Sequence, residues 1–317
     1  MLPKPRLTFF VELPADQLAE VVQPAVLETL ARRGAAISMA LLDLGVERAA
    51  AIRAFEAAGI AVTAWVVLDE AQGYWLNSDN ADCAAARWHA VRQWSSAHGL
   101  AVATVGLDIE PPHDDTVALV RTPALAAARM LRRSRSPEQV SAAQVAYAQL
   151  VDAIRASGRT VEAYHVPLLA DERRAGTVAL RRSLGLVDLA VDREVWMLYR
   201  SALPAPWGAG LVSGYGPGTR AIGVGITGGG MRSLQPTFAR RELDATAAID
   251  ELRRAARFCD DLYVFSLEGC VRRGALAALC AADLRGQPRQ AERLSTAWVR
   301  GARFALRAGL RVADRLL

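Results

Sequence analysis

The chain has 317 residues, 52% of them apolar, with four cysteines and 38 Lys and Arg against 33 Asp and Glu, a net charge of +5. That length suits one large domain, α/β barrels using about 250 residues as a single unit, and no Ser/Pro/Gly linker or low-complexity tract divides it. The charge is too modest and too little interleaved with aromatics for a nucleic-acid binder, and Cys83, Cys259, Cys270 and Cys280 show neither zinc-site spacing nor a disulfide framework.

The N-terminal stretch MLPKPRLTFFVELPAD reaches an acid too soon to be a signal peptide, and no run of about 18 apolar residues follows, so the cytoplasm is the expected compartment. Strand-like runs fall at residues 6–12, 36–43, 61–68, 101–110, 160–165, 187–199 (narrowing to 194–199), 221–227 and 261–268, which makes eight. Helical patterns lie between them at 15–33, 47–58, 81–98, 137–157, 171–184 and 243–258, with Gly34, Gly59, Gly99 and Gly158 where left-handed caps would end helices. Residues 201–219, rich in Gly and Pro, read as a long loop with at most a short helix. Strands alternating with helices mean parallel pairing with right-handed crossovers, and eight such units close a (β/α)8 TIM barrel. An open doubly wound sheet is the alternative, but no GxGxxG follows the first strand. Two further helices follow, at 271–282 and 290–317. The domain reading is a barrel over residues 1–285 and a C-terminal amphipathic helical extension over 286–317. In that last helix Arg300, Arg303, Arg307, Arg311 and Arg315 recur every three or four residues. Such a row suits peripheral contact with an anionic membrane, or, more simply, a solvated face of a helix packed on the barrel.

In barrels the C-terminal strand ends carry chemistry. Here they are Glu12, Asp43, Asp69 with Glu70, Asp108 with Glu110, Tyr164 with His165, Tyr199 with Arg200, Thr227 followed by three glycines, and Glu268. Asp108 and Glu110 stand one residue apart before Pro111 and Pro112, so both carboxylates face the same side of one strand. Crowded carboxylates raise one another's pKa, and one then holds a proton at neutral pH, which is what acid catalysis at a glycosidic oxygen needs. Tyr74, Trp75, Tyr164, Trp196 and Tyr199 on the same rim suit stacking on sugar rings, with Trp196 also readable as ordinary core.

VGLDIEP resembles the latter part of DGxDxDxE, the strand-four motif of chitinase-like family 18 glycoside hydrolases, and WMLYR resembles their strand-six MxYD, so that Asp108, Glu110, Met197 and Tyr199 match. The resemblance implies that Glu110 is the general acid, Asp108 its orienting partner and Tyr199 a hydrogen-bond donor to the reacting centre. It spans only these two segments. Ala103, Gly106 and Arg200 stand where the motifs have acids, which makes the chain a distant relative. Glu268 is then the candidate second carboxylate, and Glu12, Tyr164, His165, Arg200, Trp75 and Asn77 the candidate substrate-positioning residues. The partner expected is a carbohydrate or sugar phosphate, without nucleic acid, metal or cofactor. A rival reading uses Gly228 to Gly230 with Arg200 and Arg232 as a phosphate cradle for phosphosugar or phosphate-ester chemistry. Near-absence of lysine makes a Schiff-base aldolase a poor variant of it. A third reading is a glycan-binding barrel without catalysis.

Overall fold

The computed structural model describes residues 4–122, 129–130, 132–203, 208–230, 241–289 and 292–316. Eight parallel strands, β1 (Arg6–Val11), β2 (Ala36–Ala40), β3 (Val62–Val66), β4 (Thr104–Ile109), β5 (Thr160–His165), β6 (Arg193–Met197), β7 (Ala221–Gly225) and β8 (Asp261–Phe265), close into a TIM barrel in sequence order. The closing seam pairs Leu7 with Leu262 and Phe9 with Val264. Between and after the strands come α1 (Pro24–Arg33), α2 (Val46–Ala57), α3 (Ala81–Ala97), α4 (His113–Arg121), α5 (Pro137–Ala156), α6 (Leu168–Ala175), α7 (Ala179–Leu184), α8 (Leu211–Tyr215), α9 (Ala245–Ala255), α10 (Leu267–Arg272), α11 (Leu276–Ala281) and α12 (Arg293–Leu316).

Strand alternation divides the apolar residues into two layers. Phe9, Val11, Ile37, Val105, Leu107, Val161 and Ile222 face outward and form the main core beneath the helices. Phe10, Ala40, Trp65, Tyr164, Val195, Met197 and Tyr263 face inward and fill the barrel. Gly34, Gly59, Gly99 and Gly158 all have positive φ at helix ends, where a left-handed residue closes the last turn. Two further glycines do the same inside segments that read as single helices. Gly176 (φ 69°) separates α6 from α7, and Gly274 (φ 64°) separates α10 from α11. The segment 15–33 is also split, into a 3-10 turn (Ala15–Glu20) and α1, because Pro24, lacking an N–H, starts a helix better than it continues one.

The Arg row of α12 is not one solvated face. Arg303 is buried, donating to Asp171 Oδ1 at 2.9 Å and to the Gly214 carbonyl with its guanidinium over the Tyr215 ring, and Arg307 approaches Asp171 at 3.7 Å. Among the described residues no helix is long and apolar enough to cross a membrane.

Candidate active site

At the C-terminal ends of the strands the barrel opens into a cavity of about 380 Å³. Three carboxyls line it: Glu12 just after β1, Asp108 on β4 and Glu110 just after it. The walls are mostly apolar and aromatic, with Phe10, Trp65, Trp75, Tyr164, Met197, Tyr199, Tyr215, Ile226 and Phe265. Asp108 and Glu110 do share one side of β4, as their spacing predicts. Met197 and Tyr199 face the same cavity, while Trp196 before them and Leu198 between them pack outward, Trp196 beneath the Arg173 guanidinium. Small residues make room for the rings. Tyr199 lies beside Gly223 and Gly225 of β7, and Tyr164 occupies the space a side chain at Gly106 would need. The Tyr164 hydroxyl donates to Glu162 at 2.7 Å and meets Ser38 Oγ at 2.5 Å, so it forms the floor of the cavity and is committed to the barrel interior.

The loop after β3 supplies the next wall. Leu76 bridges to Ile109, its N–H donating to the Asp108 carbonyl at 2.9 Å, which fixes Tyr74 and Trp75 beside β4. Tyr74 has φ 60°, a sparsely populated conformation for a non-glycine residue, and its hydroxyl donates to Glu12 Oε1.

Burial dominates the electrostatics. Desolvation pushes the Glu12 carboxyl up to about 8, against the Tyr74 hydrogen bond, with Glu268 and Glu110 adding repulsion. Desolvation and then the charges of Glu110 and Glu12 hold Asp108 well above the usual carboxylate range. Glu110 is pushed up to about 7 by desolvation. Asp108 Oδ1 and the Trp65 indole nitrogen are both buried without a well-formed hydrogen bond, although the indole stands near enough to the Asp108 carboxyl to favour its charged form, and a bound hydroxyl or amide would complete both.

The remaining predicted site residues lie elsewhere. Glu268, in the first turn of α10, sits behind the cavity wall: its Oε1 accepts the Glu12 backbone N–H at 3.4 Å and abuts Gly229, and burial pushes its carboxyl up to about 7. His165, the residue after Tyr164, points outward. It is fully buried against Trp196 with neither ring nitrogen hydrogen-bonded, and desolvation lowers it to about 4. Asn77 holds the loop in shape, donating to the Trp75 carbonyl and accepting from the Asp79 N–H, both at 3.0 Å. Arg200 is engaged by Glu251 at 3.0 Å and Glu292 at 2.6 Å.

The phosphate cradle finds no support in what faces it. Gly228, Gly229 and Gly230 do have positive φ, but side chains placed on them would meet Glu242, Glu268 and Glu12 respectively. Carboxyls beside the loop are poor neighbours for an anion wherever they are ionised. Arg232 lies outside the described residues.

Neither a protein-family model nor any curated protein matches the chain. Solved structures do match, at low identity. A family 18 chitinase from Pseudoalteromonas aurantia is similar at 10% identity with a TM-score of 0.48, over 86% of this chain and 98% of that one. The glycoside hydrolase domain of PgaB (BpsB) from Bordetella bronchiseptica is similar at 9% identity and a TM-score of 0.46, over 88% of this chain and 98% of that one. So is a D-allulose 3-epimerase from Methylomonas sp., at 11% and 0.43, over 96% of this chain and 99% of that one.

The lining residues not singled out in the sequence include Phe10, Trp65 and Phe265 on the strands and Thr116, Val166, Leu168, Leu203, Leu211, Tyr215 and Ile226 after them. Strand parity was the available signal for the first group, since Phe10 stands two residues before Glu12 and therefore faces the same way.

Proposed function

We propose that this barrel cleaves a glycosidic bond by carboxylate acid catalysis. The observation that carries the reading is the cluster of Glu12, Asp108 and Glu110 on one aromatic-walled cavity, with all three carboxyls held above their ordinary range. Glu110 is the least buried of the three, at the mouth, and at about 7 it is poised to give a proton to a leaving-group oxygen and take one back. Asp108, two residues deeper, couples to it and offers its unpaired Oδ1 to the substrate. Glu12 supplies the second carboxyl group in preference to Glu268, because Glu12 lines the cavity and Glu268 supports it from behind, and it serves as base or nucleophile once it has released the proton that its burial holds. The low-polarity walls exclude water and strengthen each of these interactions at the developing oxocarbenium charge. The aromatic rings suit the faces of a sugar.

The test is turnover of a panel of aryl glycosides and oligosaccharides by the wild-type chain and by Glu110→Gln, with ligand binding followed by calorimetry. Loss of about 10²- to 10⁴-fold in kcat with binding retained supports the reading. Binding without turnover in the wild type makes the barrel a glycan-binding protein, and turnover untouched by Glu110→Gln refutes the assignment.

A further inference from the structure

The C-terminal helix presents a largely exposed apolar face. Leu294, Trp298, Phe304 and Val312 of α12 are 80%, 59%, 72% and 57% exposed. At 3.6 residues per turn Leu294, Trp298, Ala305 and Val312 fall on one line and Phe304 at its edge, while Arg303, Leu310 and Val299 on the opposite side are buried. Along the Phe304 edge run Arg293, Arg300, Arg311 and Arg315, all exposed. The helix holds one acid, Asp314, which accepts the Val178 N–H at 3.0 Å on the barrel side. The exposed side of α12 is thus apolar along its centre, cationic along one margin and without negative charge.

We propose that this face of α12 docks the protein on an anionic lipid bilayer, the helix lying in the plane of the interface. Its 24 residues make a rod of about 36 Å. Aromatic and aliphatic side chains on one face with arginines beside them match the two layers such a surface offers, acyl chains beneath and phosphates above. A second copy is a poorer occupant, because an antiparallel pair of these helices would bring the two arginine margins together. The helix is held rigidly for the task. It starts beside the strand-end face, where Ser295 packs on Gly210, is clamped at mid-length by Arg303 on Asp171, and ends against Val178. The proposal is independent of the catalytic reading, since no residue of this face touches the cavity.

The experiment is co-sedimentation of the full chain with vesicles of phosphatidylcholine containing phosphatidylglycerol, and with phosphatidylcholine alone. Two variants accompany it, Leu294→Asp/Phe304→Asp and Arg293→Gln/Arg300→Gln/Arg311→Gln/Arg315→Gln. The proposal predicts binding to the anionic vesicles, at least about tenfold weaker for either variant, with near-ultraviolet circular dichroism unchanged because every altered side chain is exposed. Absence of binding to anionic vesicles, or binding indifferent to both variants, overturns it. So does a dimer in light scattering that Leu294→Asp/Phe304→Asp abolishes, which would give the face to a second copy.

Discussion

Glu12 is buried and its carboxyl is pushed up to about 8, chiefly by desolvation, so the folded protein keeps at neutral pH a proton that the unfolded chain releases near its ordinary 4.5. The contribution to stability is therefore fully present below about 4.5 and is lost as pH rises to about 8. Its size is on the order of a few kcal/mol. Glu12→Gln imitates the protonated form and can still accept from Tyr74. The variant is expected to match the wild type near pH 5 and to exceed it in urea unfolding at pH 8; identical pH slopes for both proteins refute the point. Catalysis has its own limb. If Glu110 acts as the acid, kcat/KM falls as pH rises past about 7, its pushed-up value, and that descending limb disappears in Glu110→Gln along with the activity. At the floor of the cavity, Gly106→Ala drives a methyl into the Tyr164 ring and hydroxyl. Overpacking of this kind costs about 1–3 kcal/mol, read as a lowered denaturant midpoint at unchanged slope.

At the scale of elements, the clamp between α12 and α6 is a buried ion pair whose loss can be weighed. Asp171 is fully buried, accepting from Arg303 at 2.9 Å and from the Tyr215 hydroxyl at 2.6 Å. Arg303→Met leaves that charge with only the more distant Arg307, at 3.7 Å, and is expected to cost up to about 3–5 kcal/mol, with much of the loss recovered when Asp171→Leu is added. Double-variant unfolding measures it, and a single variant as stable as the wild type refutes it. Such pairs are what sequence periodicity does not convey: the five arginines share a helical spacing, yet which of them turn inward depends on an acid 132 residues earlier in the chain. The strands were legible because apolar runs between glycine caps leave few alternatives, and Asp108 with Glu110 because two acids at period two on one strand must share a side. His165, Asn77 and Arg200 stand outside the cavity lining, because position near a strand end does not fix direction: His165 has the outward parity, Asn77 belongs to a loop it stabilises, and Arg200 meets Glu251 and Glu292 from distant segments. The apolar wall of Leu168, Leu203, Leu211 and Tyr215 comes from βα loops, where no periodicity reports which side chains turn toward the cavity.

For the molecule as a whole, the question is whether the last helix is an appendage or part of the barrel's cooperative unit. The ties are polar and buried. Glu292, just before α12, accepts from Arg200 in the loop after β6 and pairs with Arg254 of α9 at 3.3 Å, while Arg303 reaches Asp171 and Gly214. Remove the segment and Asp171 loses its cation, and Leu211 and Tyr215, which wall the cavity, lose the helix behind them. Burying an unpaired carboxylate costs several kcal/mol, comparable to the whole net stability of a typical domain. A chain ending at residue 289 is accordingly expected to keep most of its far-ultraviolet signal, lose near-ultraviolet dichroism and bind a hydrophobic dye, as a barrel with disordered packing does. If that shortened chain instead retains a sharp thermal transition within a few degrees of the full-length protein, α12 is dispensable for folding. Its selection would then rest on the surface it presents.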